Sequence, residues 1–536
     1  MTPLIENRRT AGVPLEARRR AWGSARVWAL TAAPVLAAGL VLAGPPARVP
    51  AAPADVPAAA PASPDATLEQ FKANIDHVVI IYQENWGFDS LYGKFPGANG
   101  FASAVTTQTG LDGDVLNSAG PVLKGGKPDS NFPPDLPARP FDLSLYIKAN
   151  LKTGDPVHNF YIQQAEIDGG KMDRYLAYPA AGTQGGLPMG YFDATGMPEG
   201  KLAQQYVLAD NFHQSAFGGS FLNNMWAACA CTPQLAPADA PAKFIERLDA
   251  FGNPLDLGSK EGRLTPDFYV VNTSFSTQYP MLTEDHTYTI VPPLDAPTLG
   301  DRLSAAGVSW KFYAGGLDDA LAGRPDATFQ PHHQSYLYFR NYAPGTPGSK
   351  HIVDDSHFLT DLATGALPAV AWLKPIGANN EHPGYANLMQ GQAFVAGIVG
   401  EIQMSPAWKK TLIVIVYDEA GGHFDHVAPL PVDRWGPSTR VPAIFISPFA
   451  KRGFVDHTNY EIASLLRTIE LRFALPPLNA RDAGAAPLLA PFDFTRSAHA
   501  YDRRPLGDVP ALPSLAAGTG DPAPQGRPVT ELDLDD

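Results

Sequence analysis

The chain has 536 residues, 45% of them hydrophobic and 10% aromatic, which is enough apolar material for a large buried core and far from the composition of a disordered protein. Its formal net charge of -14 lacks the basic footprint that displaces counterions from phosphates, and this argues against a nucleic-acid partner. With only Cys229 and Cys231 present, the fold is expected to be held by its core.

The amino-terminal stretch differs from the rest. Arg8, Arg9, Arg18, Arg19, Arg20 and Arg26 precede the uncharged run "VWALTAAPVLAAGLVLAG" (27–44), and small residues with prolines follow. This order predicts an export signal over 1–44, with an uncleaved membrane anchor as the competing reading, since the apolar run is about long enough to span a bilayer. The catalytic part is then expected to be periplasmic or secreted, or tethered to the inner membrane by residues 27–44, the one expected membrane contact. Residues 45–66 read as an Ala/Pro-rich linker, 67–502 as the catalytic domain, and 503–536 as a flexible acidic tail.

The domain opens with "TLEQFKANIDHVVIIY", a short helix feeding a strand. The β-branched, nearly continuous apolar run at 77–82 suits a strand covered on both faces, and it ends in Glu84 and Asn85. In open α/β sheets the carboxyl ends of the strands form the ligand crevice. The arrangement recurs in "TLIVIVYDEAGGHFDHVAP", where a second run of the same kind delivers Asp418 and Glu419 before Gly421-Gly422. Three carboxylates meeting in one crevice would repel one another unless a cation neutralised them, so a divalent metal ion is expected. Oxygen ligands suit Ca²⁺, Mg²⁺ or Mn²⁺, and Zn²⁺ also accepts carboxylates.

Further strands are expected at 207–209, 308–313, 369–373 and 441–446, alternating with helical stretches such as "APTLGDRLSAAG" and "QGQAFVAGIVGEIQMS". Strands alternating with helices predict an α/β fold, a doubly wound and mostly parallel sheet with helices on both faces. After the strand at 207–209, "NFHQSAFGGSFLNNMWAACA" places Gly218-Gly219 before Ser220 and a helix. A serine there faces unpaired backbone N–H groups, which suits either a cap or a phosphorylated oxygen. At the far end of that helix the single-residue separation of Cys229 and Cys231 disfavours a bridge, so both are expected to be buried thiols, a strained bridge being the alternative. The interval 214–297 has weak periodicity and reads as a loop-rich insertion over the site. Late in the chain, "HTNYEIASLLRTIELRF" predicts a helix with Thr458 and Glu461 as its capping box and Ile462, Leu465, Leu466, Ile469 and Phe473 on its apolar face.

The blocks "DHVVIIYQENWGFDSLYG", "NFHQSAFGGSFLNN", "PHHQSYLYFRNY", "EHPGYANLMQGQAFV" and "VIVYDEAGGHFDHVAP" occur in this order, and the chain from about residue 75 to 494 resembles the bacterial phosphoesterase family of acid phosphatases and phospholipases C. The resemblance implies an alkaline-phosphatase-like fold and a phosphate ester substrate. It implies a metal held by Glu84, Asn85, Ser220, Asp418 and Glu419, with Ser220 as nucleophile. Asn223 matches the asparagine that often follows the nucleophile, although Leu222 stands where proline is frequent. Trp86 and Ser90 stand where the phospholipase form has Arg and His, which points to the acid-phosphatase branch. Of thirteen histidines, His158 and His382 are the preferred phosphate-contacting or general-acid candidates, with His332 and His333 beside them. His423 and His426 are close enough in sequence to Asp418 and Glu419 to orient them. A catalytically silent binding protein on a hydrolase scaffold is the alternative of a different class.

Overall fold

The structure, a computed structural model, describes residues 64–495 except 102–106, 121, 124–126, 179–186, 250–253, 256–263 and 282–287. The arginine-rich stretch, the apolar run at 27–44 and the tail at 503–536 lie outside the described residues. No helix among those described is long and apolar enough to cross a membrane. Helix α1 (Pro64–Asn74) starts inside the stretch read as linker, so a domain boundary at 67 cuts it.

An eight-stranded sheet forms the centre. In chain order its strands are β1 (His77–Gln83), β2 (Val207–Ala209), β3 (Trp310–Ala314), β4 (Ile352–Asp354), β5 (Val370–Lys374), β6 (Thr411–Tyr417), β7 (Ala443–Ile446) and β8 (Phe454–Asp456). In space they run β4-β3-β5-β1-β6-β7-β2-β8. All neighbouring pairs are parallel except those made by β7, which is antiparallel to β6 and to β2. The mostly parallel α/β architecture read from the sequence is therefore present, and the strands at 207–209, 308–313, 369–373 and 441–446 fall within a residue or two of their expected bounds.

Burial explains why β1 and β6 read as continuous apolar runs. Every residue of β6 is buried, as are all but the first of β1, because helices cover both faces. Each buried Val or Ile contributes about 1.5–3 kcal/mol relative to exposure. Their register pairs Gln83 with Tyr417, so Glu84 and Asp418 leave the sheet side by side at its carboxyl edge.

The helices that matter for the site are α2 (Phe160–Ile167), α3 (Pro198–Gln205), α4 (Ser220–Cys229), α5 (Leu299–Ala305), α6 (Leu388–Met404) and α7 (Ile462–Phe473). Two expectations need correction here. The cap of α7 is Glu461 with Ser464, not Thr458 with Glu461; Thr458 instead donates to Asp456, 2.7 Å away at the end of β8. Cys229 and Cys231 are bridged, not free. Ala230 between them takes a left-handed conformation (φ 49°) as α4 ends, which brings the two Cα atoms to 5.1 Å, within disulfide range. The interval 214–297 contains α4 and then short turns and three-residue strands. It touches the flank of the crevice where the Asn272 side chain accepts a 2.9 Å bond from Phe160 N at the start of α2.

Candidate active site

Glu84, Asn85, Asp418 and Glu419 are fully buried, and the structure brings them together with Ser220. Ser220 is the first residue of α4, after Gly219 at the cap. Gly218 turns the chain into it with φ 88°, a conformation glycine adopts without strain. The hydroxyl lies 2.8 Å from Glu84 Oε2 and 3.1 Å from Asn85 Oδ1, and its proton can go to either. On the other side, Glu419 N donates to Asp418 Oδ1 and Gly421 N to Glu419 Oε2. A Cβ at Gly421 would strike the Asn85 carbonyl, so the glycine lets the two strand-end loops meet.

Two histidines face this cluster. His158 Nδ1 donates to the Pro156 carbonyl at 2.7 Å, which leaves Nε2 directed at Glu419 Oε1, 3.8 Å away. His382 Nδ1 donates to the Pro383 carbonyl, and its Nε2 accepts from Asn85 Nδ2 at 2.5 Å. Each ring is thus fixed with one nitrogen turned to the centre. His333 Nε2 is 3.4 Å from Glu84 Oε1. His332 packs edge-on against His333 with ring centroids 4.4 Å apart.

Three expected roles change. Asn223 does not face the reacting oxygen: its Oδ1 accepts from Ala216 N at 3.0 Å, and its Nδ2 is directed at the carbonyls of Ala216, Gly218 and Gly219, so it pins the turn before Ser220. The neighbour, Asn224, is the one that reaches across, donating to Asp418 Oδ2 at 3.3 Å. His426 does not orient Asp418 or Glu419; it lies 2.6 Å from Asp89. His423 stacks on Trp86 at 4.5 Å, and burial drives its pKa down to about 3, so it is neutral packing.

Sequence reasoning missed Lys374. This last residue of β5 is fully buried, its ammonium touching Glu84 Oε1 and standing 3.8 Å from Asp418 Oδ2. It also missed the layer beneath. Gln83 Nε2 and the Tyr417 hydroxyl donate to the two oxygens of Glu381, at 2.8 and 2.6 Å, and Tyr417 also reaches Glu199 on α3 at 3.2 Å. Gln83, Tyr417 and Glu381 each immediately precede a residue of the cluster, so the layer ties three site segments together. Burial raises the pKa of Glu199 to about 7, and it raises that of Glu381, which the neighbouring Glu199 charge pushes further up.

The donor set fits a divalent cation. Glu84, Asp418 and Glu419 bring three negative charges and Lys374 one positive charge, which leaves two uncompensated in a buried site. Glu419 Oε1 is buried without a hydrogen-bond partner, and burial raises the Glu419 pKa to about 8. Glu84, Asn85, Ser220, Asp418 and Glu419 offer oxygens, which suit a hard cation, and His158 Nε2 also faces Glu419 Oε1 at 3.8 Å. Asp155, His158 and His382 also offer ligand atoms within 4.8 Å of one another at the same mouth.

Residues 75–476 match the family model described as "Phosphoesterase family". The chain belongs to the phosphoesterase family. It is a hydrolase acting on phosphoric esters. Among curated relatives, a non-hemolytic phospholipase C of Burkholderia pseudomallei is 27% identical over 83% of this chain, which spans 61% of that protein's length. Phospholipase C A of Mycobacterium tuberculosis is 25% identical over 84% of this chain and 85% of its own. Solved structures with similarity include a Vibrio parahaemolyticus protein of the alkaline phosphatase superfamily, 12% identical over 52% of this chain and 60% of that one, with a TM-score of 0.28. The fold assignment rests on the sheet itself.

Proposed function

We propose that this phosphoesterase is a metal-dependent phosphomonoesterase of the acid-phosphatase kind, working through a phosphoserine at Ser220. The observation that carries the reading is the Ser220 hydroxyl held 2.8 Å from a buried carboxylate at the start of a helix, with His158, His333 and His382 turned toward the same cluster. A phosphomonoester brings two negative charges and three non-bridging oxygens, and this number of buried cationic or donor groups suits it.

In the proposed sequence Ser220 Oγ attacks phosphorus in line and its proton passes to Glu84 Oε2. The bond from phosphorus to the leaving oxygen breaks as that oxygen takes a proton from Nε2 of His158 in its imidazolium form, while His382, whose Nε2 accepts from Asn85, orients that side chain. Water then gives a proton to His158 Nε2 and attacks the phosphoserine, the P–Oγ bond breaks, and Ser220 Oγ takes its proton back from Glu84. The unpaired N–H groups of the first turn of α4 and the histidines hold the equatorial oxygens. A divalent ion on Glu84, Asn85, Ser220, Asp418 and Glu419 would supply Lewis-acid neutralisation and a lowered hydroxyl pKa.

The second reading, a phospholipase C, is favoured by the names of the relatives. Turnover of p-nitrophenyl phosphate against p-nitrophenyl phosphorylcholine across pH separates the two. The monoester is expected to be hydrolysed at least about 10-fold faster at acid pH; preference for the diester transfers the assignment to phospholipase C, and no turnover of either by metal-repleted protein supports a silent binding protein. The export reading of 1–44 belongs to the same proposal: a chain cut after residue 60 should fold and turn over substrate.

A further inference from the structure

The reaction outlined above gives Lys374 no role, yet among the described residues it is the lysine whose side-chain nitrogen contacts the carboxylate cluster. Its position follows from the sheet. Leu373 lies opposite Ile81 in the parallel pairing of β5 with β1, so Lys374 ends its strand where β1 releases Gln83 and Glu84. No water reaches the side chain, which stands 4.7 Å over the Tyr82 ring, touches Glu84 Oε1 and faces Asp418 Oδ2 at 3.8 Å. The ammonium therefore bridges the carboxylates of two adjacent strand ends, a place where cations of either kind are attracted.

We propose that Lys374 is a built-in cation of the centre, a positioning residue that limits it to one divalent ion and keeps Glu84 turned toward Ser220. The inference rests on reading the Glu84, Asp418 and Glu419 cluster as a metal centre. Three carboxylates and one ammonium sum to two negative charges, which a single divalent ion cancels. A second such ion between Glu84 and Asp418 would have to sit against both the first ion and the ammonium in a medium that screens poorly. Glu84 also has its two oxygens divided between tasks: Oε1 is held by Lys374 with His333 behind it at 3.4 Å, and Oε2 is left for the Ser220 hydroxyl at 2.8 Å. Removing the ammonium therefore opens space between Glu84 and Asp418 and leaves a surplus negative charge there. A second divalent ion is the species that would fill it.

The test is a titration of chelator-stripped full-length protein with Mn²⁺, free ion being read by electron paramagnetic resonance. Wild type and Lys374→Arg are expected to hold one ion tightly per chain, and Lys374→Ala two. Added methylammonium should return the Lys374→Ala count to one, a rescue that a merely structural lysine would not produce. Circular dichroism establishes that each variant is folded. Two tight ions in wild type, or an unchanged count of one in folded Lys374→Ala, overturns the proposal. If Lys374→Ala does not fold, the wild-type count decides alone, one ion supporting and two refuting. Wild type that takes up no ion at all refutes the metal-centre reading itself, and that result is distinguishable from failure of the lysine proposal.

Discussion

The segment after β1 supplies Glu84 and Asn85 to one buried cluster and, from the short helix Phe88–Tyr92, Asp89 to another, and the loop after β6 supplies Asp418 and Glu419 to the first and Asp425 to the second. In the second cluster Arg440 donates to both Asp89 and Asp425 at 2.9 Å and to the carbonyls of Asn99 and Asp210, while His426 lies 2.6 Å from Asp89. Its guanidinium supplies the counter-charge, and the carboxylate oxygens of Asp89 and Asp425 are all met by protein donors. In the first cluster Lys374 cancels only one of three charges, and Glu419 Oε1 has no hydrogen-bond partner, the nearest histidine nitrogen being 3.8 Å away. The same two segments therefore carry one carboxylate cluster finished by protein and one finished only by something that binds. Both sets could hold a metal by composition alone; the arginine is what separates structure from function.

The sharpest way to break this comparison is to remove the reacting oxygen. Ser220→Ala keeps the turn set by Gly218 and Asn223, so folding should survive while turnover falls by a factor on the order of 10⁴ to 10⁶. Asp418→Ala should cost most of the bound divalent ion, measured by elemental analysis, and at least about 100-fold in turnover, since a direct ligand matters more than its outer partners. The opposite pattern is expected in the closed cluster. Arg440→Met leaves Asp89 and Asp425 buried without their counter-charge and should cost about 3–5 kcal/mol of stability, with metal content per folded molecule unchanged. Loss of the ion in a folded Arg440→Met protein would show that the clusters are not separate.

A smaller effect sharpens the contrast through pH. Burial raises the Glu419 pKa from 4.5 to about 8 in the ion-free protein. Between those values the folded state keeps a proton that the unfolded chain has lost, so this contribution is complete below about pH 4.5 and declines as pH rises toward 8. A bound ion displaces that proton. The gap in Tm between metal-loaded and stripped protein should therefore widen with pH up to about 8, as read by thermal melts at fixed free metal concentration; a gap independent of pH would mean that Glu419 is already ionised without the ion.

Much of the open cluster was legible in the sequence because its members sit at the ends of long, doubly buried strands, where an apolar run stopping in adjacent oxygen-bearing residues is conspicuous. Ser220 stood out after its two glycines for a similar reason. Lys374 did not, since a lysine closing a five-residue apolar strand reads as a solvated end, and only the neighbouring strand's register turns it inward. Asn223 and Asn224 are indistinguishable by type; the helix direction alone decides which pins the turn and which meets Asp418. Cys229 and Cys231 were misjudged because spacing says nothing of the left-handed residue that folds them together. Glu199 lies in unremarkable sequence and Glu381 is overshadowed by His382 beside it, and their pairing depends on packing between α3 and the loop before α6.

In the proposed reaction phosphate passes through Ser220, and quenching wild-type enzyme during turnover of a ³²P-labelled phosphomonoester reads that step itself. The account predicts acid-stable label on the peptide containing Ser220, absent in Ser220→Ala. Label on His158 or His382, or active Ser220→Ala with no covalent species at any time after mixing, would contradict it.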